Sequence, residues 1–265
     1  MRRLKIILLV LLGIYVFGGV ILYYAQERFI FLDHALAADF SFDFPSEFEE
    51  VNLTSADGAN LHALHFTQQS PKGVILYYHG NAGTLHRWGE VVQYHVGLGY
   101  DVIVMDYRGY GKSTGKRSQS SMLADAEQFY DYTLEHYSED QITVYGRSLG
   151  TGLATYVTSR HAPKRLMLET PYHDFKSLAQ RFYPVFPVGV ALRFNFKTNE
   201  YIRSVNCPIY IFHGTEDEVV PYKHGKRLYE SIQAGKAEFF TIPEGAHKNL
   251  IKFAEFRQAV EGVLR

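Results

Sequence analysis

Five short runs in this 265-residue chain, at 74–78, 102–105, 142–145, 165–168 and 209–212, are almost wholly apolar rather than apolar at alternate positions. A strand written that way has to be covered on both faces, and that condition is met in parallel sheets whose crossovers are helices. Helix-length patterns separate the runs, at 85–96, 118–137, 150–161 and 222–233, with another at 249–264 after a last strand at 237–242. A hairpin precedes them, with strands at 51–55 and 61–66 bracketing the turn dipeptide Asp57-Gly58. The order predicts an α/β fold with a mostly parallel sheet covered by helices.

Two segments fall outside that alternation. Residues 6–25 carry no charge for 20 positions, and Arg2, Arg3 and Lys5 come before them. At about 1.5 Å per helical residue this run spans a ~30 Å hydrocarbon layer, which predicts a transmembrane anchor over residues 1–25. A cleaved signal peptide is the alternative, but its apolar core is usually about 7–15 residues and no clear small-x-small site follows Ala25. The basic residues before the span, against the balanced flank Gln26-Glu27-Arg28, orient the N-terminus to the cytoplasm and the rest of the chain to the outer, periplasmic or lumenal side. Residues 26–50 read as a linker approaching the sheet, and 51–265 as the globular domain. The second segment, 171–205, holds Pro184, Pro187 and many aromatics, too long for a bare connection. It reads as a small helical lid, or else as a packed surface excursion.

Composition excludes several classes of function. A formal net charge of −1 and short charge runs leave no basic surface for nucleic acid. One cysteine, Cys207, allows neither an intramolecular disulfide nor a cysteine metal cluster, and its apolar setting suits a buried structural thiol. Metal-ligand spacings such as H-E-x-x-H are missing from the sequence, so the chemistry expected here needs no metal and no cofactor. Gly111-Lys112-Ser113 resembles the end of a phosphate-binding loop, but the glycine required five positions earlier is Asp106. That segment reads as a structural turn buttressed by Arg108. Oligomeric state is left open.

Chemistry enters at Gly146-Arg147-Ser148-Leu149-Gly150, which follows one apolar run and precedes the small-residue helix start Thr151-Gly152-Leu153-Ala154. A serine between a strand and a helix, flanked by glycines that let backbone approach closely, is the pattern of a nucleophile elbow. A serine hydroxyl needs a histidine base, and the histidine needs a carboxylate to fix its tautomer. Only two aspartates follow Ser148: Asp174, in the lid segment, and Asp217, just after a strand. Asp217 is the expected acid, with Glu169 as the alternative. Of the five later histidines, His161, His173, His213, His224 and His247, only His247 lies on a glycine-containing loop between the last strand and the last helix. It is the expected base. Backbone N–H groups would hold the oxyanion, with Leu149 as one donor. The other comes from His79-Gly80-Asn81-Ala82-Gly83, assigned to Asn81 with Gly80 and Ala82 as its neighbours in contention.

Together H-G-N-A-G at 79–83, D-Y-R-G-Y-G-x-S at 106–113, G-R-S-L-G at 146–150, H-G-T-x-D at 213–217 and G-A-H at 245–247 resemble the α/β-hydrolase superfamily. The likeness runs from about residue 51 to the C-terminus. Within the superfamily, the anchor and these loops are similar to single-pass abhydrolase-domain serine hydrolases, whose relatives include depalmitoylases and serine aminopeptidase-like proteins. The resemblance implies an eight-stranded sheet with one antiparallel strand and a lid after the sixth strand, at 171–205. The expected function is hydrolysis of a carboxylic ester or thioester, acyl or lipid-like, through an acyl-serine intermediate. Peptidase activity is the second reading, and a membrane-tethered binding module without chemistry is the third.

Overall fold

A computed structural model describes residues 1–265, the side chain of Val190 excepted. Its sheet has eight strands: β1 (Phe48–Thr54), β2 (Asn60–Phe66), β3 (Val74–Tyr78), β4 (Asp101–Met105), β5 (Ile142–Arg147), β6 (Arg165–Glu169), β7 (Ile209–Gly214) and β8 (Ala237–Ile242). They lie in the order β1-β2-β4-β3-β5-β6-β7-β8. β2 runs antiparallel to both its neighbours and every other pairing beyond it is parallel, so β2 is the one reversed strand. The hairpin turns at Gly58, whose φ of 81° suits a residue without Cβ.

Six helices of eight residues or more accompany the sheet: α2 (Leu85–Gly97), α3 (Gln119–His136), α4 (Gly150–Thr158), α5 (Phe175–Phe182), α8 (Tyr222–Glu230) and α9 (Ala254–Leu264). Alternate strand residues point to opposite faces, which divides the core in two. Leu76, Tyr78, Val144 and Leu166 pack with Phe129 and Tyr130 of α3 and Leu153 and Val157 of α4. Ile75, Tyr77, Tyr145 and Met167 pack with Trp88 and Val92 of α2 and Phe256 and Val260 of α9. Two covered faces explain why these strands lack polar alternation. Ser118 starts α3 through a reciprocal cap with Ser121, accepting from its N–H at 3.0 Å.

Register decides where loops collect. Tyr78 pairs with Gly146, Gly146 with Leu168, Leu168 with Ile211 and Ile211 with Phe239, which makes one row across five parallel strands. The loops after β3, β5, β6, β7 and β8 therefore leave from one edge. β4 lies on one side of β3 and β5 on the other, so the chain order reverses between β3 and β5. In open α/β sheets that switch point, at the carboxyl ends of the strands, is where a crevice forms.

After β6 the chain makes α5, α6 (Val188–Ala191), α7 (Thr198–Tyr201) and a 3₁₀ turn at Ile202–Ser204 before β7. Phe194 and Phe196 of this excursion are buried in the core, whereas Phe182 and Val185 face outward. The N-terminal helix α1 (Arg2–Ile30) is 29 residues, or about 43 Å, and continues past Ala25 without a break. It is long and apolar enough to cross a membrane, with a mean hydropathy of 2.7 over an 18-residue window of which nothing is buried.

Candidate active site

Ser148 follows β5 at the switch point with φ of 51°, a left-handed backbone that non-glycine residues adopt at a cost of roughly 1–3 kcal/mol. The flanking glycines are steric requirements. A Cβ on Gly150 would lie 2.0 Å from the Tyr78 carbonyl oxygen, and one on Gly146 would lie 2.7 Å from Ala154 Cβ. Ser148 N–H donates to the Glu169 carbonyl at 2.9 Å, tying the turn to β6. The strained turn leaves the serine hydroxyl at the start of α4, on the floor of a cavity of about 220 Å³.

The structure brings His247 and Asp217 to that hydroxyl from two other strand ends. His247 Nε2 is 3.0 Å from Ser148 Oγ, and His247 Nδ1 is 2.8 Å from Asp217 Oδ2. Asp217 follows β7, and its other oxygen, Oδ1, accepts from the N–H groups of Val219 and Val220 at 2.9 and 2.7 Å. Burial alone would raise this carboxyl. Hydrogen bonds from His213 and His247 and from the Val220 N–H outweigh it and hold the pKa down to about 2. Asp217 is therefore a carboxylate facing a ring N–H, which leaves Nε2 as the acceptor for the serine proton.

The His247 loop is held at several points. Gly245 carbonyl accepts from Glu216 N–H at 2.9 Å, Ala246 N–H donates to Asn249 Oδ1 at 2.7 Å, and Arg147 Nη2 reaches the His247 carbonyl at 3.4 Å. Gly214 and Gly245 touch so closely that a Cβ on Gly214 would sit 2.0 Å from Gly245 O. Glu169, the alternative acid, is occupied elsewhere: it pairs with Arg147 Nε at 3.1 Å and accepts from Tyr145 OH at 2.8 Å. Asp174 caps α5, accepting from Ser177 N–H at 2.7 Å.

Leu149 and Asn81 both line the Ser148 cavity. Neither N–H donates to a protein acceptor among the described residues. The same holds for Gly80 and Ala82, which do not line the cavity. The Asn81 side chain is occupied, donating to the carbonyl of Ile30 at 2.9 Å. Tyr110 OH and Leu32 N–H both donate to the Asn81 carbonyl, at 2.8 and 3.0 Å, and Tyr107 OH donates to the His79 carbonyl at 2.6 Å. Arg108 bridges Asp125 and Asp57 at 2.7 and 2.5 Å and so fixes the turn that carries these tyrosines.

Sequence reasoning missed Arg147, Tyr107, Tyr110 and the end of α1 as parts of this neighbourhood. The two tyrosines lie in D-Y-R-G-Y-G, where the glycines signal a turn but nothing local signals where the hydroxyls go. Arg147, inside the elbow motif, carried a signal that a buried arginine between two glycines needs an acid partner nearby.

The alpha/beta hydrolase fold family model matches residues 73–181. Lysophosphatidylserine lipase ABHD12 from Xenopus tropicalis is 31% identical over 239 residues, covering 79% of this chain and 62% of the relative. Protein bem46 from Schizosaccharomyces pombe is 30% identical over 221 residues, covering 78% and 73%. The chain thus spans less than two thirds of the frog relative's length. Among solved structures, a Pyrococcus furiosus esterase superposes with a TM-score of 0.68 at 18% identity, covering 89% of this chain and 96% of the other, a likeness of fold. Sheet order, the single reversed strand and these sequence matches agree: the chain belongs to the α/β-hydrolase superfamily.

Proposed function

We propose that this protein is a membrane-anchored serine hydrolase that cleaves carboxylic esters or thioesters of acyl, lipid-like substrates, with Ser148, His247 and Asp217 as its catalytic triad. The observation that carries the reading is the chain of contacts from Asp217 Oδ2 through His247 to Ser148 Oγ, at 2.8 and 3.0 Å, on a positive-φ serine at the floor of a cavity. His247 Nε2 takes the hydroxyl proton as Oγ bonds to the substrate carbonyl carbon, and Asp217 stabilises the imidazolium. The N–H groups of Leu149 and Asn81 receive the developing oxyanion, each such donor typically worth about 3–4 kcal/mol of barrier. The imidazolium then protonates the departing alcohol or thiol. Water, deprotonated by His247, releases the acid from Ser148.

The substrate class rests on the cavity and on kinship. Phe29, Leu178, Ala179 and Phe182 line the cavity over Ser148, and ABHD12 relatives bear the name of a lipase. In this reading residues 171–205 act as the lid, and α1 crosses the bilayer with Arg2, Arg3 and Lys5 on the cytoplasmic side, which leaves the hydrolase body on the opposite one. Labelling with a fluorophosphonate probe tests it. Wild type is expected to label and to hydrolyse p-nitrophenyl esters, and Ser148→Ala to do neither. A folded wild type that does not label would overturn the proposal.

A further inference from the structure

A second cavity, about 440 Å³, runs between α1 and the α5–α6 segment, and its walls are almost wholly apolar. Tyr15 and Phe186 stack across it with ring centroids 5.3 Å apart, and a Cβ placed on Gly19 of α1 would lie 3.8 Å from the Phe186 ring. It shares Phe29, Ile30, Ala179 and Tyr183 with the cavity over Ser148, so the two abut where the Phe29 and Tyr183 rings meet edge to face at 6.2 Å. Between Tyr15 and Phe29 the groove follows α1 for about 21 Å, more than the ~15 Å of one hydrocarbon leaflet.

Resting on the function proposed above, we infer that this groove is the acyl-chain site of the enzyme and that its occupant is a single acyl chain of an amphiphile already resident in the bilayer. Three observations choose that occupant. One wall is the exposed apolar helix that the bilayer would surround, so the groove opens to lipid tails rather than to water. Its inner end abuts the cavity holding the Ser148 hydroxyl and shares four lining residues with it, an arrangement that would set the ester at the nucleophile while the tail lies along α1. The α1–body junction is also fixed, as an occupied groove requires. Gln26 is buried, its side chain donating to the Ala191 carbonyl at 3.1 Å and accepting from Arg193 N–H at 2.8 Å, and Glu27 pairs with Arg193 at 2.8 Å. The chain need not leave the hydrocarbon to reach the serine. It slides sideways between helix and lid, past Phe29 and Tyr183.

The test compares full-length protein in phosphatidylcholine vesicles on p-nitrophenyl acetate and p-nitrophenyl palmitate, with Gly19→Leu to fill the groove and Gly13→Leu, at an open position of α1, as control. Each methylene pushed out of apolar contact costs roughly fourfold, so displacing two or more is expected to lower the palmitate-to-acetate ratio of kcat/KM by tenfold or more in Gly19→Leu. Gly13→Leu should keep the wild-type ratio. An unchanged ratio in Gly19→Leu overturns the groove while leaving the hydrolase intact; absence of turnover and of fluorophosphonate labelling in wild type defeats the hydrolase reading itself. Photo-crosslinking reads the site without relying on a Gly19 variant that folds. In Ser148→Ala a diazirine-bearing palmitoyl lysophospholipid should crosslink to peptides covering 15–30 and 179–192. Crosslinks confined to other faces of α1, or crosslinks between two copies of the chain through this groove, would overturn it.

Discussion

Asp217→Asn keeps the shape of the side chain and reverses the polarity of one hydrogen bond. Oδ1 of Asp217 accepts from two N–H groups, those of Val219 and Val220. In the variant the amide oxygen must take that place, because an NH₂ there would face two donors. The amide NH₂ is then turned on His247 Nδ1, which must become an acceptor and carry its proton on Nε2, aimed at Ser148 Oγ. In that tautomer the ring cannot take the serine proton. The opposite amide orientation would leave both N–H groups facing another donor and strand the buried one, that of Val220, at about 1–3 kcal/mol, so it is populated at most between roughly one part in 5 and one in 160. Loss of the negative charge facing the imidazolium adds to this, and a fall in kcat of about 10⁴ is expected, as in a comparable triad. The assay is kcat on p-nitrophenyl butyrate at pH 8 with circular dichroism to confirm the fold. Turnover within tenfold of wild type would refute the assignment of Asp217. Acid stability gives a second readout. The folded pKa, about 2, lies below the ordinary 3.8, so this carboxylate stabilises the fold above about pH 4 and the contribution, roughly 2 kcal/mol, is lost as pH falls through 2. Asp217→Asn should lack that part of the pH dependence.

Glu169→Gln leaves the buried Arg147 guanidinium without its anion. A loss of about 3–5 kcal/mol follows, read by calorimetry as a Tm lowered by roughly 6–20 °C; a Tm within 2 °C of wild type would show that the pair is not closed in solution. Tyr110→Phe removes one of two donors to the Asn81 carbonyl, so kcat is expected to fall about two- to tenfold with KM unchanged, and a KM effect alone would mean that the loop does not act on the transition state. If α1 is an uncleaved anchor, the full-length protein stays with the membrane pellet after carbonate extraction. A shortened soluble form in the supernatant would establish a cleaved signal peptide instead.

What the sequence made legible was chemistry that is local along the chain. The elbow announces itself through glycines at 146 and 150 because each stands where a Cβ would strike backbone or a neighbouring side chain within a few ångströms. The all-apolar strands announce two covered faces, and strand ends fall within a residue or two of the expected places where Asp57-Gly58 and Pro208 punctuate them, whereas β1 begins at Phe48, three residues before the expected start. Asp217 and His247 were singled out by elimination among the two aspartates and five histidines that follow Ser148, and the structure brings both into one chain of contacts with its hydroxyl. Contacts between distant residues left no such trace. Tyr107 and Tyr110 look like core aromatics in any window, and only the β3–β4 register brings their hydroxyls to the carbonyls of residues 79 and 81.

The same blindness governs the N-terminal segment, where it bears on function. Gln26-Glu27-Arg28 reads as a polar flank at which a membrane helix meets water. In the structure the helix runs through that flank to Ile30, Gln26 is buried against residues 191 and 193, and Asn81 donates to the last helical carbonyl. Polar residues that a hydropathy profile assigns to the interface instead join α1 to residues 191 and 193, and the Ile30 carbonyl at the helix end takes the Asn81 amide of the loop beside Ser148. A helix joined in this way also walls the cavity over the serine, through Phe29 and Ile30. Swapping α1 for an unrelated span would therefore be expected to preserve membrane attachment and still disturb that loop, a consequence that anchoring alone does not predict.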